Sequence, residues 1–223
     1  STQGVSSAAS DVYKRQLFQR AWAIVQAAPA LLDLREELER IEAAHPGLHK
    51  KYVAELKAKE VRRVGLASDY RSFKIAVTQI RTACYIVIAS LSGCRNHELA
   101  YLRTGSYYST EDAKGNRLWW MRSRSTKTYE GATEWLVPEA AVAALRVMDR
   151  WAAPLQGMLA REIEGYRKSN AADVRIAQAS AHLGAIFVGV DTKQSKQVRT
   201  ISNGGTNTCL LYTSDAADDT PCV

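Results

Sequence analysis

Cysteine and long apolar runs are both scarce in this chain of 223 residues, and each scarcity excludes a class of protein. Its four cysteines form no paired-cysteine motif of the kind that binds a metal, and such usage fits a reducing compartment. The longest apolar run, residues 83–91, is too short to span a bilayer, and no signal peptide is recognisable. We therefore expect a cytoplasmic protein with no membrane association, no metal and no cofactor.

The two ends of the chain are related through their coding DNA. Residues 6–16 (SSAASDVYKRQ) and 209–219 (CLLYTSDAADD) can be encoded by opposite strands of one DNA segment. That segment resembles the transposon-end adapter used in sequencing libraries, and a biological inverted repeat is the alternative. We predict that residues 1–16 and 209–223 are adapter-derived and disordered, and we leave them out of the fold prediction.

Positive charge predominates between these ends. The net charge of the chain is +7; the first sixteen residues carry +1 and the last fifteen carry −3, which leaves +9 for residues 17–208. A domain this basic favours nucleic acid as a partner, whereas solvated basic helices are the competing interpretation. The densest cluster is a candidate DNA-backbone face and consists of Lys50, Lys51, Lys57, Lys59, Arg62 and Arg63.

Apolar periodicity predicts a mostly helical chain. In the best example Phe73, Val77, Ile80, Cys84, Val87 and Leu91 recur at steps of four and three, as on a helix face turned to a core. Pro29 is expected to interrupt the first helix. Residues 185–190 are predicted to form an apolar strand or a buried turn, and a polar stretch follows them. The predicted helices cover residues 17–43, 48–64, 70–91, 138–153, 154–168 and 171–183.

A single arginine stands where one of these helices ends and another begins. Gly93 is expected to end the upstream helix, and Asn96 to cap the next one. Arg95 then projects from a turn whose backbone N–H groups favour an anion, so it is a candidate phosphate ligand. An ordinary surface arginine in a helix-to-helix corner is the alternative.

Three short segments rich in Tyr, Trp, Thr and Val follow this corner and predict a small antiparallel sheet. They cover residues 106–110, 117–125 and 133–137, and turn-forming residues separate them. The second turn contains Lys127 in the sequence Ser-Thr-Lys-Thr, where its side chain is free to reach a ligand. The fold class is therefore α+β, mostly α-helical with one small three-stranded antiparallel sheet.

A family resemblance is based on three features of the sequence. They are Arg95 with Glu98-Leu99, the predicted sheet with Lys127, and the closing Trp135-Leu136-Val137-Pro138. In order and spacing, residues 70–155 resemble the first half of a tyrosine recombinase (phage integrase) catalytic domain. One departure is His97, where the family usually has Ser or Gly. The resemblance implies a partial catalytic domain over residues 17–208. Three alternatives stay open for residues 17–64, which belong to the catalytic domain, form a linker or are the end of a preceding DNA-binding domain.

The chemistry of strand transfer explains why these residue types are needed. Breaking and rejoining a phosphodiester requires a cation on the nonbridging oxygens, a proton for the departing 5′-oxygen, and a nucleophile that holds the 3′-phosphate. The planar guanidinium of Arg95 suits the first role because it can bind two phosphate oxygens together. The resemblance assigns the second role to Lys127, and Glu98 is expected to orient Arg95.

The second half of the family pattern has no counterpart in the sequence. His182 does not open a His-x-x-Arg box, and Tyr212, which belongs to the adapter segment, is no candidate nucleophile. We interpret Tyr107, Tyr108 and Tyr129 as strand or turn residues. The chain is therefore predicted to be an inactive fragment of a recombinase that binds double-stranded DNA and, at full length, self-associates on it.

Two other functions stay open at this point. A DNA-binding module or regulator without catalysis would also carry a basic surface and a phosphate-binding arginine. A basic helical interaction protein with no nucleic-acid role would account for the charge alone. Salt-dependent binding to duplex DNA distinguishes the last of these from the others.

Overall fold

The computed structural model describes residues 3–125, 131–170, 172–190 and 197–200. It confirms a mostly helical chain with a small three-stranded antiparallel sheet. The elements in these ranges are α1 (Gln3–Ala44), α2 (Lys50–Val64), α3 (Tyr70–Ser92), α4 (Asn96–Ala100), β1 (Tyr107–Glu111), β2 (Arg117–Ser125), β3 (Gly131–Val137), α5 (Glu139–Ser169), α6 (Val174–Ser180), β4 (Val188–Val190) and β5 (Val198–Thr200).

The chain divides into two compact units, Ser1–Cys84 with Val223 and Tyr85–Cys222. In the first unit α2 packs against α1, because both helices have apolar residues at helical spacing. Val53 and Val61 of α2 are buried, and the ammonium of Lys57 between them forms an ion pair with Glu42 of α1. The buried apolar residues of α1 are Ala21, Val25, Ala28, Leu31, Leu32, Leu34 and Leu38.

Two predictions about the long helices are wrong. α1 begins at Gln3, whereas the sequence predicts a helix that begins at residue 17. The adapter origin and the disorder of residues 1–16 stay predictions. Residues 5–16 contain neither glycine nor proline, and extending an existing helix is far easier than nucleating one. The predicted helix breaks at Pro29 and Pro154 are also absent, because both prolines lie inside continuous helices. A proline removes one backbone donor, but packing of the surrounding side chains can keep the helix intact.

Helix α3 is the only segment of the described ranges that is long and apolar enough to cross a membrane. The core helix of a soluble protein can have the same length and composition. Phe73, Ile80, Cys84 and Val87 of the predicted face are indeed buried, while Val77 and Leu91 are half-buried. In its most apolar window of 18 residues 33% is buried, and the helix is therefore amphipathic.

The sheet in the second unit has the order β1-β2-β3, with both pairs antiparallel. β1 pairs with β2 from Tyr107 opposite Met121 to Glu111 opposite Arg117. The turn between them depends on Asp112, whose carboxylate accepts the backbone N–H groups of Lys114 and Asn116. β3 pairs with β2 as far as Gly131 opposite Ser125.

Alternation along β2 gives the sheet two different faces. On the inner face Met121 is fully buried, and the guanidinium of Arg146 from α5 lies 5.1 Å from the ring centroid of Trp119. The outer face carries Tyr108, Trp120 and Arg122 on adjoining positions of β1 and β2. Helix α5 buries its predicted face of Ala141, Leu145 and Met148.

The polar stretch expected after residue 190 contains one strand that the sequence did not predict. β5 pairs with β4, and its Val198 is buried. Three residues are too few for an apolar alternation to stand out from the neighbouring polar sequence. Residues 191–196 lie outside the described residues.

His182 joins the chain before β4 to the end of β5. Its Nδ1 accepts the backbone N–H of Thr200 at 3.2 Å and lies 2.8 Å from the hydroxyl of the same residue. Nδ1 is therefore unprotonated in the folded state. Burial lowers the pKa of His182, and the nearby charges of Arg199 and Arg103 lower it further, against an opposing effect of Glu162.

This pKa shift predicts a loss of stability in mild acid. The unfolded chain binds a proton at His182 below its ordinary pKa of about 6.5, whereas the folded chain resists protonation until lower pH. The unfolding free energy should therefore fall as pH decreases through about 6.5. In His182→Asn, which keeps an acceptor near the position of Nδ1, denaturant titrations at several pH values should show a weaker dependence.

The exposed His45 provides the matched control. His45→Asn should retain the pH dependence of the parent chain. An unchanged dependence in His182→Asn would contradict the account.

Candidate functional site

The corner between α3 and α4 is formed by local backbone chemistry. Gly93 ends α3 with φ of 65°, a left-handed conformation that favours glycine, and its N–H donates to the carbonyl of Ala89. The hydroxyl of Ser92 accepts the N–H of Cys94 at 3.2 Å. Arg95 follows in an extended conformation, φ −72° and ψ 153°, and precedes the first residue of α4. The predicted helix end at Gly93 is confirmed.

The predicted cap of the second helix is wrong. Asn96 does not cap α4 but lies in its first turn, where its side-chain oxygen accepts the hydroxyl of Tyr85 at 2.7 Å. Glu98 takes the capping role instead, since its Oε2 accepts the backbone N–H of Arg95 at 2.7 Å. A glutamate at this position of a helix commonly reaches back in this way.

Glu98 also approaches the side chain of Arg95. Its Oε1 lies 3.9 Å from Nη1 of Arg95 and 3.9 Å from Nε2 of His97. The carboxylate is buried, with 7% of its side chain exposed, whereas the side chain of Arg95 is 58% exposed. The arrangement thus anchors the base of Arg95 and leaves the guanidinium accessible to a ligand.

A second hydrogen bond joins this corner to the sheet. The hydroxyl of Ser123, on the inner face of β2, donates to the backbone carbonyl of Glu98. Glu98 therefore contacts Arg95 through its carboxylate and β2 through its carbonyl. Sequence analysis did not identify Ser123, although its place in the β2 alternation with Met121 was a signal for the inner face.

Lys127 lies in the segment that connects β2 with β3, outside the described residues. Its predicted role therefore stays a prediction.

The basic cluster of α2 is described, and it is smaller than its sequence indicates. Lys57 is buried against Glu42, and Nε of Arg63 donates to Glu60 at 2.8 Å, which lowers the pKa of that carboxyl. Arg63 is nevertheless exposed, as are Lys50, Lys51, Lys59 and Arg62.

Other reactive side chains near the corner are poorly suited to nucleophilic chemistry. Burial raises the pKa of the Cys94 thiol to about 11, so it stays protonated at neutral pH. Burial also raises the pKa of Tyr85, whose ring packs edge-on against Phe187. Tyr107 and Tyr108 lie in β1, as predicted, and Tyr129 is outside the described residues. The described ranges contain no cluster of three or more potential metal ligands.

Comparison with known proteins gives no independent identification. No protein-family model matches the chain, and no curated protein matches its sequence. The sequence motifs and the geometry around Arg95 are what indicate a function.

The anchoring role of Glu98 predicts a measurable loss of stability. Glu98→Ala removes the acceptor of the Arg95 N–H and should lower the unfolding free energy by about 1–2 kcal/mol. Glu98→Gln keeps a side-chain oxygen and should lose less. Urea titrations followed by tryptophan fluorescence measure both effects.

Glu164 is the control, because its side chain is 55% exposed and forms a surface ion pair with Lys168 at 3.8 Å. Glu164→Ala should change stability by less than about 0.5 kcal/mol. Equal losses in Glu98→Ala and Glu164→Ala would refute the anchoring role.

Proposed function

We propose that this chain carries the first half of a tyrosine recombinase active site and binds the phosphate backbone of duplex DNA. The observation that supports this most is the double role of Glu98. Its carboxylate anchors Arg95, and its carbonyl accepts Ser123 of the strand that leads toward Lys127. A buried hydrogen-bonded residue thus couples the two parts of the chain that the family motif requires to act together.

In this proposal Arg95 neutralises the nonbridging oxygens of the phosphate. Its guanidinium is exposed, always charged, and shaped to form two parallel hydrogen bonds. The anchored backbone reduces the conformational freedom that Arg95 loses on binding. Removal of one such donor to a transition state typically costs about 100-fold to 1000-fold in rate.

Lys127 is the proposed proton donor to the departing 5′-oxygen. It follows Ser123 by four residues in the sequence. A lysine can donate a proton there because its amine titrates, whereas an arginine does not lose its proton.

The sequence has neither the His-x-x-Arg box nor a tyrosine that matches the nucleophile of the family. We therefore expect this chain to bind DNA without cleaving it, whereas the complete active site would form a covalent 3′-phosphotyrosyl intermediate. Self-association on DNA and a cytoplasmic location are further parts of the proposal. A non-catalytic DNA-binding module remains the second candidate, because the same missing residues favour it.

The test of this proposal is the salt dependence of duplex binding. Arg95→Ala should weaken duplex affinity about tenfold, because a hydrogen bond to a charged group is lost. The slope of log affinity against log salt should decrease by about one. The duplex affinity of Arg95→Lys should lie between those of the parent chain and Arg95→Ala, because lysine keeps the charge but loses the paired donors. Fluorescence anisotropy of labelled duplex DNA measures each value.

Arg167, an exposed arginine near the C-terminal end of α5, is the matched control. Arg167→Ala should keep the affinity and slope of the parent chain. Identical curves for Arg95→Ala and the parent chain would argue against the phosphate site. Covalent adducts between the parent chain and a suicide DNA substrate would contradict the expected lack of cleavage.

A further inference from the structure

The outer face of the three-stranded sheet carries an ordered row of flat side chains. Tyr108 of β1 is directly opposite Trp120 of β2, and their rings are nearly parallel, with 16° between planes and 6.4 Å between centroids. The guanidinium of Arg122 lies 4.1 Å from the ring centroid of Tyr108. Arginine, tyrosine and tryptophan thus form one stacked group, which we call the stacking row.

Hydrogen bonds within the sheet fix the polar edges of this row. Nε1 of Trp120 donates to the hydroxyl of Thr110 at 2.9 Å, and the hydroxyl of Tyr108 donates to Glu134 at 2.9 Å. Nε of Arg122 donates to the same carboxylate at 2.6 Å. The row is therefore preorganised: Arg122 covers one face of the Tyr108 ring, and the half-buried Trp120 is the ring left to stack on a ligand.

The charge around the stacking row is positive. Two arginines of β2, Arg122 and Arg124, are exposed on this face, and Glu134 on β3 is the neighbouring acid. The contacts of Glu134 with Arg122 and Tyr108 lower the pKa of its carboxyl, so it stays ionised and bound to the row. A polyanion can follow Arg124 while planar groups contact the row.

We propose that this face binds single-stranded DNA, with an unpaired base stacked on Trp120, whose ring Tyr108 and Arg122 support, and phosphates near Arg124. Base faces in a duplex are covered by neighbouring base pairs, so only unpaired bases can stack on protein rings. Proteins that bind single strands without sequence preference usually combine aromatic side chains that stack on bases with positive charges that contact the phosphates. This site is separate from the proposed duplex-phosphate site at Arg95 and does not depend on it.

A protein partner is the other occupant to be tested. Leu136, opposite Trp120, is 57% exposed and adds apolar area to this face. However, Arg122, Arg124 and Glu134 give the face a net positive charge, and the net charge of the whole chain is +7. Charge complementarity therefore favours the polyanion.

The experiment compares three substitutions of Trp120 in the full chain. The probe is a fluorescein-labelled oligothymidine of about 20 nucleotides, long enough for one binding face. Trp120→Leu keeps apolar volume but removes the π face and should weaken binding about tenfold, as Trp120→Ala should. Trp120→Phe keeps a ring and should stay within about threefold of the parent chain.

Tyr52 on α2 is the control, because it is a 60% exposed aromatic residue in the other unit. Tyr52→Ala should bind oligothymidine as the parent chain does, and none of the Trp120 variants should change duplex affinity. Thermal unfolding of each variant checks folding, and Arg124→Gln tests the face without altering an aromatic residue; it should weaken oligothymidine binding.

Three outcomes would overturn the proposal. The first is no oligothymidine binding at low salt by the parent chain. The second is parent-like binding by folded Trp120→Leu, or by Arg124→Gln if the Trp120 variants do not fold. The third is an equal loss of duplex and single-strand affinity in Trp120→Leu. Loss of duplex binding in Arg95→Ala alone would leave this proposal intact, so the two failures are distinguishable.

Discussion

The corner between α3 and α4 depends on one buried carboxylate. Glu98 accepts the backbone N–H of Arg95 at 2.7 Å, and its own carbonyl accepts the hydroxyl of Ser123. A helix of five residues has little stability of its own, so α4 depends on these two contacts together with the Tyr85–Asn96 hydrogen bond and the buried side chain of Leu99. The exposed guanidinium of Arg95 keeps its position because the buried part of the same turn is fixed.

Much of this arrangement could be predicted from the sequence because it depends on local signals. Glycine at the end of an apolar helix and Tyr/Trp-rich segments between turn formers identified the corner and the sheet. The predicted helix cap was wrong because Asn96 and Glu98 can both serve in capping, and the sequence gives no signal that Tyr85 of the preceding helix α3 binds the Asn96 side chain. Ser123 was missed for a similar reason, since a serine in a strand has no local signal for its partner.

Side chains of strand β2 alternate between the two faces of the sheet, and each face belongs to one of the two proposed sites. Its inner side chains face α5 and, through Ser123, the Arg95 corner, whereas Trp120 and Arg122 lie on the outer face. A single strand can therefore support duplex-phosphate binding on one side and base stacking on the other without the two competing for the same atoms. The first proposal depends on the motif with Lys127 and on the contacts of Glu98, and the second on the geometry of the rings and the charge of Arg124.

The central claim is that Arg95 and Lys127 act on the same phosphate. A double-mutant cycle measures this directly, with duplex affinities of the parent chain, Arg95→Ala, Lys127→Ala and the double variant at one salt concentration. A shared phosphate predicts a coupling energy above about 0.5 kcal/mol, because each cation changes what the other gains from binding. Additive losses, within about 0.3 kcal/mol, would show that the two residues bind independently and would contradict the account.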